Sequence, residues 1–143
     1  MLHATREELR KSFFRHILAC EKAPSMTHSH RMLLCYAVEC GLKVCIMKEH
    51  PILMSTRDFG KIADCEKLMT HNLNYLLDRA HCGAMRLSPV KLSDKYVGGR
   101  NQRAGVEELH EIFRYGINAD ALEIDRAMEI LGRIINWLKE RLA

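Results

Sequence analysis

The sequence predicts an all-α fold, an antiparallel bundle of four or five helices. Apolar residues recur at three- and four-residue steps through most of the chain, the spacing of a buried helix face. Only three prolines interrupt it, and β-branched runs are scarce. At 143 residues the chain fits one domain, 1–143, and is long enough to bury a sizeable core.

The first helix opens at Thr5-Arg6-Glu7-Glu8, a capping box in which threonine and glutamate satisfy each other's backbone donors. Leu9, Phe13, Ile17 and Cys20 mark its inner face, and Pro24 stops it. Ser25, Thr27 or Ser29 can cap the second helix, residues 30–48. Eleven of the thirteen residues 32–44 are apolar, Tyr or Gly, so other helices must surround this one. Its only charges in that stretch, Glu39 and Lys43, stand four apart with the acid first, which suits an intrahelical pair on a wet edge. The short link between the two helices predicts antiparallel packing.

Residues 51–69 suggest a loop or a short helix. Thr70 is a suitable cap for a third helix with Leu73, Leu76, Leu77 and Ala80 inward, ending near Gly83. Residues 85–105 then form a long irregular segment. It carries Arg86, Lys91, Lys95, Arg100 and Arg103 against one acid, Asp94, with Tyr96 among the cations. Loops of this length in compact domains are functional or disordered, and an aromatic among cations suits base stacking and phosphate contact. A fourth helix is expected over 106–115 with Leu109, Ile112 and Phe113 inward and Gly116 as its C-cap. Asp120 caps a last, amphipathic helix whose apolar stripe runs from Ile124 to Leu142. That stripe either closes the bundle or extends into a dimer seam.

Charge is unevenly placed. Residues 1–50 hold 8 basic and 5 acidic side chains, residues 51–106 hold 9 and 5, and residues 107–143 hold 5 and 8. A polyanion would therefore approach the middle third. No run reaches the roughly 18–20 apolar residues of a membrane span, and the N-terminus lacks an apolar signal core, so a cytoplasmic location without membrane contact is expected. The six cysteines form no CxxC pair, and Cys35, Cys40 and Cys45 point in different directions on one helix. They read as buried thiols; no metal site and no cofactor is expected.

Tyr36-Ala37-Val38-Glu39-Cys40-Gly41-Leu42-Lys43 resembles the YxxEhxhK pattern of the HEPN family (higher eukaryotes and prokaryotes nucleotide-binding domains). Thr70-His71-Asn72-Leu73 with Leu76-Leu77 is similar to that family's THDL…LL step, and Phe113-Arg114-Tyr115-Gly116 to its RYP/RYG step. The resemblance spans about residues 5–142 and implies an HEPN-like bundle, often a homodimer. It implies further that Glu39, Lys43 and His71 are scaffold polar residues, with Glu39–Lys43 close to His71, and that Arg114 joins Lys95, Tyr96 and Arg100 in contacting RNA or nucleotide.

Two functions follow from the resemblance. Some members are metal-independent endoribonucleases that use Arg-x(4–6)-His across a dimer. Arg103-x6-His110 fits the loosest form, with Ala104 in place of the usual polar residue and Gly105 inside the motif. Others lack the motif and serve as binding modules, or as partners of a nucleotidyltransferase or antitoxin, in prokaryotic defence and toxin–antitoxin systems. The degraded motif favours this second class. A third reading, independent of the family, is a structural helical adaptor whose basic loop merely solvates.

Overall fold

A computed structural model describes residues 2–93 and 103–143. Among them are five α-helices: α1 (Arg6–Glu21), α2 (His28–Glu49), α3 (Leu73–Arg79), α4 (Leu109–Tyr115) and α5 (Ala121–Leu142). Two-residue strands, β1 (Val90–Lys91) and β2 (Arg103–Ala104), pair antiparallel, with Val90 opposite Ala104. No helix among the described residues is long and apolar enough to cross a membrane.

Every other α-helix packs on α2. Helix α1 runs antiparallel to it: Cys20 Sγ lies 3.4 Å from the His30 carbonyl at one end, and an isolated bridge joins Thr5 to Ser55 beyond the other. Helix α5 runs alongside α2 in the same direction. Gly41 faces Leu138 midway, and Lys48 Nζ donates to the Arg141 carbonyl at 3.2 Å near both C-termini. Helix α4 covers the first half of α2, stacking Phe113 against His28 with ring centroids 6.1 Å apart, and α3 follows the second half. An unbroken buried run on α2, Gly41 to Met47, is the consequence. The stripe on α5 closes the bundle, burying Ile124, Ala127, Leu131, Ile134, Ile135, Leu138 and Leu142.

Local chemistry explains most boundaries. The capping box at Thr5 forms, with Thr5 Oγ1 accepting from the Glu8 amide at 3.1 Å and Glu8 Oε1 accepting from the Thr5 amide at 2.9 Å. Thr27 caps α2, and its box is closed by His30 rather than by an acid. Gly116 ends α4 at φ 61°, the left-handed conformation glycine adopts without strain.

Five expectations need correction. Asn72, not Thr70, caps α3: its side chain accepts from the Tyr75 amide, while the Thr70 hydroxyl satisfies the Asn72 amide. That helix ends at Arg79 rather than near Gly83, and α1 ends at Glu21, ahead of Pro24. The fourth helix begins as a 3-10 turn, Val106–Glu108, because Gly105 is extended and α-geometry starts only at Leu109. Finally, the segment 85–105 is not irregular throughout, since β1 and β2 form its stem. Residues 51–69 contain two 3-10 turns, Thr56–Lys61 and Ala63–Cys65.

Candidate functional site

The conspicuous polar assembly lies where α2, the turn before α3, and α4 meet. Glu39 is its centre. Its Oε2 accepts from Lys43 Nζ at 3.2 Å, one turn along α2, and its Oε1 lies 2.8 Å from His71 Nδ1. The pair does not sit on a wet edge. The Lys43 side chain is only 6% exposed and that of Glu39 15%, because α3 and α4 cover this side of α2. A carboxylate accepts, so in this contact His71 Nδ1 is the donor.

His110, buried on α4, packs its ring 4.2 Å from that of His71 and 5.9 Å from that of Tyr36. Burial, then the neighbouring His71 and Arg114, hold the His110 imidazole below its ordinary pKa of 6.5. At the rim Arg114 Nη2 donates to the Tyr36 hydroxyl, a contact that raises the guanidinium's pKa further. Arg114 also lies over the Tyr115 ring, 5.9 Å from its centroid. The space enclosed between Tyr36, Glu39, His71 and His110 is about 10 Å³, enough at most for one water. Any larger anion meets Arg114, Tyr36 and the half-exposed outer edge of His71. The arrangement can hold an anion at its mouth and keep one imidazole neutral beneath it.

The neutral state of His110 has a consequence for stability. The unfolded chain takes up a proton near pH 6.5 that folded His110 refuses, so this contribution is intact above that pH. It is lost as pH falls from 6.5 towards the lowered folded value. His16, whose pKa burial also lowers, acts in the same direction. Melting temperature is therefore expected to drop between pH 7.5 and 5.5, and His110→Phe should flatten that slope. An unchanged slope in the variant would contradict the assignment.

Arg103 lies elsewhere. Its Nη1 donates to Glu123 Oε1 at 2.7 Å, while Glu123 Oε2 accepts from the Lys91 amide at 2.7 Å. Glu123 thereby clamps both strands of the loop stem to α5, and Arg103 holds its carboxyl below the usual range. Arg103 lines a groove of about 380 Å³ with Arg126, Pro89 and Ile130. Within one chain the structure thus separates Arg103 from His110, while it brings Glu39, Lys43, His71, His110 and Arg114 together. Lys95, Tyr96 and Arg100 lie outside the described residues.

Two contributors carry no role in the sequence reading. Tyr36 stands three residues before Glu39, hence on the same helix face, and that spacing was the available signal. Glu123 had none, since its partners come from a distant stem. Burial pushes the Cys35 thiol up to about 12 and the Cys45 thiol to about 11, so neither is a ready nucleophile. Among the described residues no three His, Cys, Asp or Glu side chains gather as a metal-ligand set.

Fold and site together define an all-α bundle wrapped on one central helix, with a covered Glu–His–His cluster opening onto an arginine. Comparison with protein-family models, curated proteins and solved structures gave no match.

Proposed function

We propose that the protein is an HEPN-like RNA- or nucleotide-binding partner protein, homodimeric and cytoplasmic, acting in a prokaryotic defence or toxin–antitoxin setting without cleaving RNA itself. The supporting observation is the fate of the two motif residues. Arg103 is engaged by Glu123, and His110 is covered by His71 and Tyr36, which leaves neither in position to act on a phosphodiester within one chain. Cations remain for phosphate contact: Arg114 at the cluster's mouth, with Lys95 and Arg100 of the basic loop and Tyr96 to stack on a base. The residues quoted for the family resemblance also converge in space, since Tyr36, Glu39 and Lys43 meet His71 and Arg114.

Incubating the purified protein with a mixed RNA pool, beside His110→Ala, tests the non-cleaving half of this reading. Intact RNA in both samples is expected. Cleavage abolished by the substitution would instead establish an endoribonuclease in which a second copy supplies Arg103 opposite His110. A partner nucleotidyltransferase or antitoxin belongs to the same proposal, and co-purification with the product of a neighbouring gene would identify it.

A further inference from the structure

A second pocket, on the opposite half of α2 from the Glu39 cluster, is built for a different kind of ligand. It is a half-open groove of about 200 Å³ where the first turns of α2 and α5 approach the end of α4. Ile112, Phe113 and Ile124, all buried, form its apolar floor, and His28, Arg31 and Asp125 stand at its rim. Among the described residues the Arg31 and Asp125 side chains pair neither with each other nor with any other group. Arg31 Nε is, among those residues, the buried side-chain polar atom left without a hydrogen-bond partner.

Arg31 is half-buried, with its Nε shielded from solvent and without a partner, while Asp125 is exposed at the rim and open to an incoming donor. Their separation leaves a positive and a negative pole facing one groove across an apolar floor. The volume lies below the roughly 300–1,000 Å³ of drug-sized sites, so the occupant is small. Two helix N-termini, those of α2 and α5, border the same space and favour a negative group beside Arg31.

We propose that this pocket binds a free α-amino acid with an apolar side chain. Its carboxylate would meet Arg31, its ammonium Asp125, and its side chain would lie on Phe113 and Ile124. A zwitterion satisfies both poles at once, which neither a simple anion nor a hydrocarbon does. The proposal stands apart from RNA binding, because none of its residues belongs to the basic loop or to the Glu39 cluster.

Calorimetric titration of the full chain with L-leucine tests it, with 4-methylpentanoate and isoamylamine as analogues lacking the ammonium or the carboxylate. Leucine should bind, and each analogue should bind roughly tenfold or more weakly, the worth of one lost charge-assisted bond. Arg31→Ala and Asp125→Asn should weaken leucine by a similar factor. Amide chemical shifts of the unmodified protein give an independent reading: leucine should move Ile117, Asn118 and Ala121 at the pocket and leave Tyr36 and His71 in place. No heat at millimolar leucine, analogues that bind as well as leucine, or shifts confined to residues away from the pocket would overturn the proposal. So would GMP displacing leucine and moving the same amides, which would make the pocket a nucleobase site. Failure here leaves the RNA-binding reading untouched, since that is read from RNA and from different residues.

Discussion

Glu39→Ala is expected to cost the fold about 3–5 kcal/mol, because it leaves the Lys43 ammonium buried with its carboxylate removed. Lys43 is 5% exposed, and Glu39 is its hydrogen-bonded partner at 3.2 Å. The same substitution frees His71, so the turn before α3 loses its tie to α2. Against a typical total of about 5–15 kcal/mol, such a loss puts the variant near unfolding at ordinary temperature. Urea denaturation would show it as a large fall in midpoint at unchanged slope. The double variant Glu39→Leu with Lys43→Met should recover most of the loss, since two well-packed apolar groups can replace a buried pair at little cost. A loss below about 1 kcal/mol for Glu39→Ala is what an exposed pair would give, and would contradict the buried arrangement.

The second large effect lies at the crossing of α1, α2 and α5. A Cβ on Gly41 would stand 2.7 Å from Leu138 Cδ1 and 3.0 Å from Phe13 Cδ1. The three helices therefore approach as closely as they do because residue 41 has no side chain. Phe13 is fully buried there, and Phe13→Ala should cost about 3–5 kcal/mol through lost burial and the cavity left behind. Gly41→Leu should cost about 1–3 kcal/mol or more by forcing Leu138 and the Phe13 ring aside. Combined, the two should cost less than their sum, because the leucine fills part of the space the ring vacates. Strict additivity in the denaturation cycle would mean that the two sites do not share that space.

What the sequence made legible was mostly local. Caps at Thr5, Asp120 and Gly116 are decided by residues within a turn of each other, and all three form as their spacing requires. Thr70 and Asn72 are both competent caps two residues apart, and only the path of the chain selects Asn72. The Glu39–Lys43 spacing shows an intrahelical pair but not which neighbour covers it, so a wet edge and a buried edge read alike. Much of the site is non-local in the same way. Arg103 and His110 share a motif spacing, yet the stem turns Arg103 towards Glu123 while α4 turns His110 towards His71. Arg114 sits at the mouth of the cluster, through Tyr36, a contact between helices that no local spacing announces. The Arg31–Asp125 pocket had no sequence signal, because its two poles come from distant helices.

The most direct test of RNA binding without cleavage is the affinity for a labelled single-stranded RNA, measured by fluorescence anisotropy across a salt series. The comparison is with Lys95→Glu combined with Arg100→Glu. These substitutions leave the Arg103–Glu123 clamp and the Glu39 cluster intact. Each phosphate contact on a single strand contributes about −0.7 to the slope of log affinity against log salt. The wild-type protein should bind with a steep negative slope, and the double variant should bind far more weakly with a slope shallower by about 1.4, the RNA remaining full length throughout. Binding absent at low salt, or equal in both proteins, would contradict the account and leave the chain a structural adaptor.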